Sequence, residues 1–121
     1  MRKTPLLLSV IVSMLTSHVW AEQDDHGFLE EAAKNNITIV QALRANDETA
    51  VTLQGEIVRQ TKHEHYELKD TTGSMTIEVD DELATAEQLK AGTVVKVAGE
   101  IDTHRYKPTD IEVVKIEIIK P

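Results

Sequence analysis

From Ala50 to the end of the chain, apolar and polar residues alternate with a period of two, the signature of strands with one face buried. "AVTLQGEIVRQ" puts Val51, Leu53 and Ile57 on one face. Gly55 interrupts it, and a glycine inside such a pattern predicts a bulge or sharp bend. "HYELKD" turns Tyr66 and Leu68 inward, "DTTG" (Asp70 to Gly73) is turn chemistry, and "SMTIEVD" turns Met75, Ile77 and Val79 inward. "TVVKVAGEID" repeats the plan with Val95, Val97 and Ile101 inward and Gly99 in mid-strand. In "DIEVVKIEIIK" the apolar phase slips between Val113 and Val114, which predicts a bulge.

Two stretches carry a helical signal. In "TIVQALRAN", Thr38 and Gln41 have capping-box spacing and Ile39, Val40 and Leu43 lie near one face, predicting a short N-terminal helix. In "DELATAEQLKAG", Thr85 and Gln88 repeat that spacing, Ala86 and Leu89 supply apolar contacts, and Gly92 stands where a left-handed C-terminal cap belongs. Residues 22–36, "EQDDHGFLEEAAKNN", are charged and weakly patterned, as in a flexible or loosely helical N-terminal arm that Phe28 and Leu29 could dock. The resulting order is three strands, a helix, then two strands, with glycine bends in the first and fourth. This is the plan of the OB-fold, a mainly β, five-stranded Greek-key barrel, here over residues 37–121. Barrel closure leaves no long exposed edges; a small open sandwich is the competing arrangement.

The first 21 residues have another character. Arg2 and Lys3 precede an apolar run from Leu6 to Leu15, and Val19 and Ala21 occupy the −3 and −1 places of a cleavage site, as in an export signal. The run is shorter than the roughly 20 residues a membrane span needs, so no membrane insertion is expected after cleavage. Loss of Arg2 and Lys3 takes the net charge from −8 to −10. So acidic a domain repels phosphate backbones. The chain has no cysteine, so stability in an oxidising compartment comes from packing.

The chemistry of catalysis is sparse. After residue 21 the only serine is Ser74, beside the turn, whereas a nucleophilic mechanism needs a Ser, Cys, Thr or Lys next to a base. No glycine-rich phosphate loop occurs. Single-stranded nucleic acid requires aromatic platforms in a basic groove. Here only Phe28, Tyr66 and Tyr106 remain, Tyr66 points inward, and the outer face (His65, Glu67, Lys69, Thr76, Glu78 and Asp80) is mostly acidic. Neither an enzyme nor a nucleic-acid binder is expected.

The blocks "VTLQGEIV", "HEHYELKDTTGSMTIEVDDE" and "VKVAGEIDTHRYKPTDIEVVKI", in this order behind an export signal, resemble the bacterial OB-fold (BOF) family of small periplasmic proteins, the YgiW/YdeI-like group. The resemblance spans roughly residues 39–120. It implies a periplasmic, non-enzymatic domain of a Gram-negative bacterium that supports tolerance of envelope stress such as peroxide, cationic peptides, acid or metals. No cofactor is implied, and the expected partners are an envelope component or a periplasmic or outer-membrane protein, with the chain itself a monomer.

Two site readings remain open. In an OB-fold the loops between strands 1 and 2 and between strands 4 and 5 lie near each other. His63, His65, Arg105, Tyr106 and Lys107 would then form a locally basic and aromatic cluster able to hold an anionic or sugar-like ligand, with Tyr106 stacking and Arg105 as a forked donor. Alternatively His63, His65 and His104, with Glu64 or Glu67, would ligate a divalent metal. A separate acidic face (Glu56, Glu78, Asp80, Asp81, Glu82 and Glu100) would steer cationic partners or simply solubilise the domain.

Overall fold

The computed structural model describes residues 27–121; the expected export signal and residues 22–26 of the expected arm lie outside the described residues. The chain divides into two compact units, Met1–Glu30 and Glu31–Pro121. Of the first, only residues 27–30 are described, and they are helical.

The second unit is built on five strands: β1 (Ala50–Lys62), β2 (His65–Lys69), β3 (Ser74–Glu78), β4 (Val94–Asp102) and β5 (Asp110–Lys120). They close into a barrel in the order β1-β2-β3-β5-β4. Only the β3–β5 pairing is parallel. Residues Ala50–Glu56 of β1 pair with β4, and Glu56–Lys62 pair with β2. The handover falls at Gly55. A Cβ there would lie 2.6 Å from the Lys69 carbonyl oxygen and 2.9 Å from Leu68 Cγ, so a side chain would wedge β1 away from β2 where the barrel turns its corner. The predicted bulge is also present. Ala98 faces Lys115 while Gly99 faces Val113, which leaves Val114 as the extra residue.

Every residue expected to point inward on the first four strands is buried, none more than 5% exposed. One end of this core is plugged by α2 (Ile39–Ala42), whose Ile39 and Ala42 are buried. Its capping box forms as expected: the Gln41 amide donates to Thr38 Oγ1, and the Thr38 amide donates to Gln41 Oε1. A second tie comes from the β2–β3 turn. Asp70 Oδ2 accepts from the Ile39 amide at 2.9 Å, while its Oδ1 accepts from the Thr72 amide, the Thr72 hydroxyl and the Gly73 amide. Partial desolvation pushes the Asp70 pKa upward, but the hydrogen bonds from Thr72, Ile39 and Gly73 outweigh it and hold the carboxyl below its ordinary value.

One expectation changes. The segment between β3 and β4 holds no helix, only separate turns; in one the Asp80 carbonyl accepts from the Leu83 and Ala84 amides, and in the next the Thr85 carbonyl accepts from the Gln88 and Leu89 amides. Gln88 Oε1 still accepts from the Thr85 amide, so the capping signal was read correctly. What prevents propagation is length: Gly92 adopts φ 93° and donates to the Ile57 carbonyl, and too few residues intervene to offset helix nucleation.

Residues 31–36 of the expected arm are attached to the barrel. Residues 27–34 are helical (α1), and residues 31–36 fall in the barrel unit. Ala32 is fully buried. The Thr52 amide donates to the Asn35 carbonyl, the Ile37 amide donates to the Thr52 carbonyl, and the Thr52 hydroxyl donates to the Ala32 carbonyl at 2.7 Å. The attachment is mostly main-chain hydrogen bonding, which a polar stretch forms without any apolar pattern to announce it.

Candidate ligand-binding face

The barrel registers bring outward residues of all five strands into two cross-strand rows. One runs Glu100, Glu112, Glu78, His65, Lys62; the other runs Asp102, Asp110, Thr76, Glu67, Arg59. Both pass from acidic on β4 and β5 to basic on β1. Within them Arg59 Nε lies 3.1 Å from Glu67 Oε1.

A pocket of about 150 Å³ opens over the middle of these rows, lined by Thr61, Lys62, His65, Thr76, Lys107, Pro108 and Asp110. A second hollow of about 300 Å³ shares Thr61, Thr76 and Pro108 with it and extends towards Leu43, Arg59 and Glu67. The β1–β2 hairpin and the β4–β5 loop thus meet over the β2–β3 face, where this fold usually binds its ligands.

Only part of the expected cluster lines the pocket. His65 and Lys107 do. His63 does not: β1 and β2 are joined by a two-residue turn, His63 and Glu64, in which Glu64 takes φ 64°. That turn breaks the same-face relation expected of His63 and His65. His63 Nε2 instead meets Asp81 Oδ2 at 2.7 Å, and Glu64 Oε2 accepts from the Asp81 amide at 2.8 Å. The hydrogen bond and charge of Asp81 raise the His63 pKa, with smaller contributions from Glu64 and Asp80. Arg105 is exposed and Tyr106 is 91% exposed; neither lines the pocket.

The three histidines of the metal reading do not converge. His65 Nδ1 lies 2.9 Å from the His63 carbonyl. A carbonyl only accepts, so Nδ1 carries a proton, and Nε2 lies 3.8 Å from Glu78 Oε2. His104 folds back from the β4–β5 loop, with Nε2 3.2 Å from Asp110 Oδ1 and 3.6 Å from Asp102 Oδ2. Among the described residues, the donor atoms close enough to share an ion form two separate groups, His63 with Glu64 and Asp81, and Asp102 with His104 and Asp110.

Sequence reading missed Thr61, Lys62, Thr76, Pro108 and Asp110 as pocket residues. Lys62 and Thr76 could have been found from alternation once the hairpin turn was fixed at His63 and Glu64. Asp110 opens β5, and only the β3–β5 pairing brings it beside Thr76.

A closed five-stranded barrel of this topology, with its hollow over β2–β3, is an OB-fold domain. The sequence profile of the family described as "Bacterial OB fold (BOF) protein" matches residues 16–118, and the chain belongs to that family. It is 40% identical over 89 residues to the "Calcium-regulated OB-fold protein CarO" of Pseudomonas aeruginosa, covering 74% of this chain and 76% of that one. It is 27% identical over 84 residues to Protein YgiW of Escherichia coli, covering 69% and 64% of the two chains. The solved structure of E. coli YgiW superimposes with a TM-score of 0.63 at 24% identity, over 70% of this chain and 96% of that one. The telomere capping protein Ten1 of Schizosaccharomyces pombe superimposes at 0.56 with 17% identity, over 69% and 79%; that likeness concerns the fold alone.

Proposed function

We propose that this protein is a non-enzymatic binding module of the bacterial periplasm that contributes to envelope stress tolerance by holding a small anionic or glycan-like envelope ligand. The observation that carries this reading is the pocket where Lys62, His65 and Lys107 come together in a domain that is otherwise acidic. Neither lysine forms an ion pair among the described residues. Two ammonium groups and an imidazole beside the Thr61 and Thr76 hydroxyls suit carboxylate or phosphate groups on a sugar scaffold. The nearby carboxylates, including Asp110 in the lining, disfavour a long polyanion. The sole serine of the barrel unit, Ser74, is exposed on β3 without a histidine among its hydrogen-bond partners, which supports binding over catalysis.

The test is calorimetric titration with an anionic amino-sugar oligosaccharide derived from cell wall. Saturable binding should weaken at least tenfold in the double variant Lys62→Ala, Lys107→Ala and persist in His63→Ala, whose ring lies outside the lining. Equal affinity in all three proteins would refute the pocket as the ligand site.

A further inference from the structure

The pocket reading uses Lys62, His65 and Lys107, and leaves unexplained the carboxylates at the acidic end of the two rows. Glu100 faces Glu112 and Asp102 faces Asp110 directly across β4 and β5. Like charges opposed in this way destabilise a strand pair unless something compensates them. Asp110 is the sharpest case. It is only 8% exposed, yet the one hydrogen-bond partner of its side chain among the described residues is His104, on Oδ1. Oδ2 has no protein partner among the described residues and reaches the surface, so it is open to water or an ion.

We propose that Asp102, His104 and Asp110 form a binding site for a divalent transition-metal ion of the Zn²⁺ class. The three residues come from the end of β4, the loop after it and the start of β5, and their donor atoms lie within 4.8 Å of one another. The spacing also fits the edges of a tetrahedral ion's ligand shell. His104 Nε2 stands 3.2 Å and 3.6 Å from its two carboxylate oxygens; ligands about 2.1 Å from a tetrahedral ion are separated by roughly 3.4 Å. The exposed His63–Asp81 contact, at 2.7 Å, has the length of a charge-assisted hydrogen bond. The histidine side chain is 22% exposed and that of Asp110 11%, so both donors are held by the fold before an ion arrives.

Donor chemistry selects the ion. One imidazole nitrogen with two carboxylates suits Zn²⁺, Co²⁺ or Mn²⁺, whereas Ca²⁺ takes six to eight oxygens and has no use for the ring. Binding replaces the Nε2 proton of His104, so affinity falls as pH drops. An ion here would offset the Asp102–Asp110 opposition and could take the place of water on the second oxygen of Asp110. It would also put positive charge beside the pocket that Asp110 lines, without depending on a ligand being there.

The full chain, purified and stripped of metal with a chelator, is titrated with Zn²⁺, Co²⁺ and Ca²⁺. We expect one Zn²⁺ per chain, Co²⁺ absorption bands of a nitrogen- and oxygen-ligated ion, and at least tenfold weaker Ca²⁺ binding. His104→Ala and the isosteric Asp110→Asn should each weaken Zn²⁺ binding tenfold or more, with circular dichroism unchanged. His63→Ala should leave it unaltered, and the Lys62→Ala, Lys107→Ala pair, which removes positive charge beside the ion, should not weaken it, which separates this site from the oligosaccharide pocket. Zn²⁺ binding that survives His104→Ala, that is lost in His63→Ala instead, or that is absent from the unmodified chain overturns the proposal. So does Ca²⁺ binding as tight as that of Zn²⁺.

Discussion

The inner and outer faces of the same five strands obey different physics. Inside, Ile57, Tyr66, Leu68, Ile77 and Ile111 are fully buried, and each removes apolar area from water and packs against neighbours at solid-like density. Outside, charged residues stand in rows whose sign changes across the sheet. Water and salt screen them, so single exposed pairs contribute little to stability. What the outer face sets is which ligands approach. Folding and recognition therefore reside on opposite sides of each strand and should respond to separate mutations.

The largest test of that separation is a pair of substitutions on adjacent strands. Ile77→Ala leaves a cavity in the barrel centre and should cost about 3 kcal/mol, within the range of roughly 2 to 5 for such truncations. Glu112→Gln, on the outer row one strand away, should change stability by less than about 0.5 kcal/mol. Urea unfolding of the two variants checks this. A loss in Glu112→Gln as large as that in Ile77→Ala would mean that the two faces are not energetically separate.

Asp70 is the place where the separation should fail. It is an outward turn residue, yet it holds the α2 plug to the barrel through the Ile39 amide. Asp70→Ala should cost about 1 to 2 kcal/mol at neutral pH, as for the loss of a helix cap. Because the folded-state pKa is depressed, this contribution is present above the unfolded value near 3.9 and is lost as pH falls through the folded value. The gap between parent and variant, from urea midpoints at pH 7 and pH 2.5, should therefore shrink in acid. A gap that stays constant would assign the role of Asp70 to shape and not to its charge.

The same contrast explains what was legible in the sequence. The inward residues repeat every second position, so Val51, Ile77 and Val97 announce themselves locally. So do Gly55, where alternation breaks, and Val114, where its phase slips. The site depends on register between strands remote in sequence. Lys62 and Lys107 share a pocket because β1 turns back after Lys62 and β5 runs parallel to β3; no periodicity records that. The histidines show the limit most clearly. His63 and His65 look like a same-face pair until the turn at Glu64 sends them to different carboxylates, Asp81 and Glu78. The capping box at Thr85 and Gln88 was legible as local chemistry, but the helix it announced was not built, because Gly92 and the pairing with Ile57 end the segment.

The smallest effect concerns the exposed pair at that turn. Asp81 raises the His63 pKa by accepting its hydrogen bond and by its charge. A raised folded-state value means that the link is fully present below the ordinary histidine pKa near 6.5 and fades as pH rises through the higher folded value. The His63 ring titration followed by NMR should therefore have a midpoint above 6.5. Asp81→Asn should bring it down towards that value, leaving only the pull of Glu64 and Asp80. The ring is fully at the surface, so salt should act in the same direction as the mutation, lowering the parent midpoint while moving the variant less. The Asp81 amide, which donates to Glu64, should exchange more slowly at pH 5.5 than at pH 8.5 after correction for the intrinsic rate, and the difference should vanish in His63→Ala. If the midpoint does not move in Asp81→Asn, the turn is held by the Glu64 backbone and side-chain contacts alone, and His63 takes no part in joining the hairpin to the segment after β3.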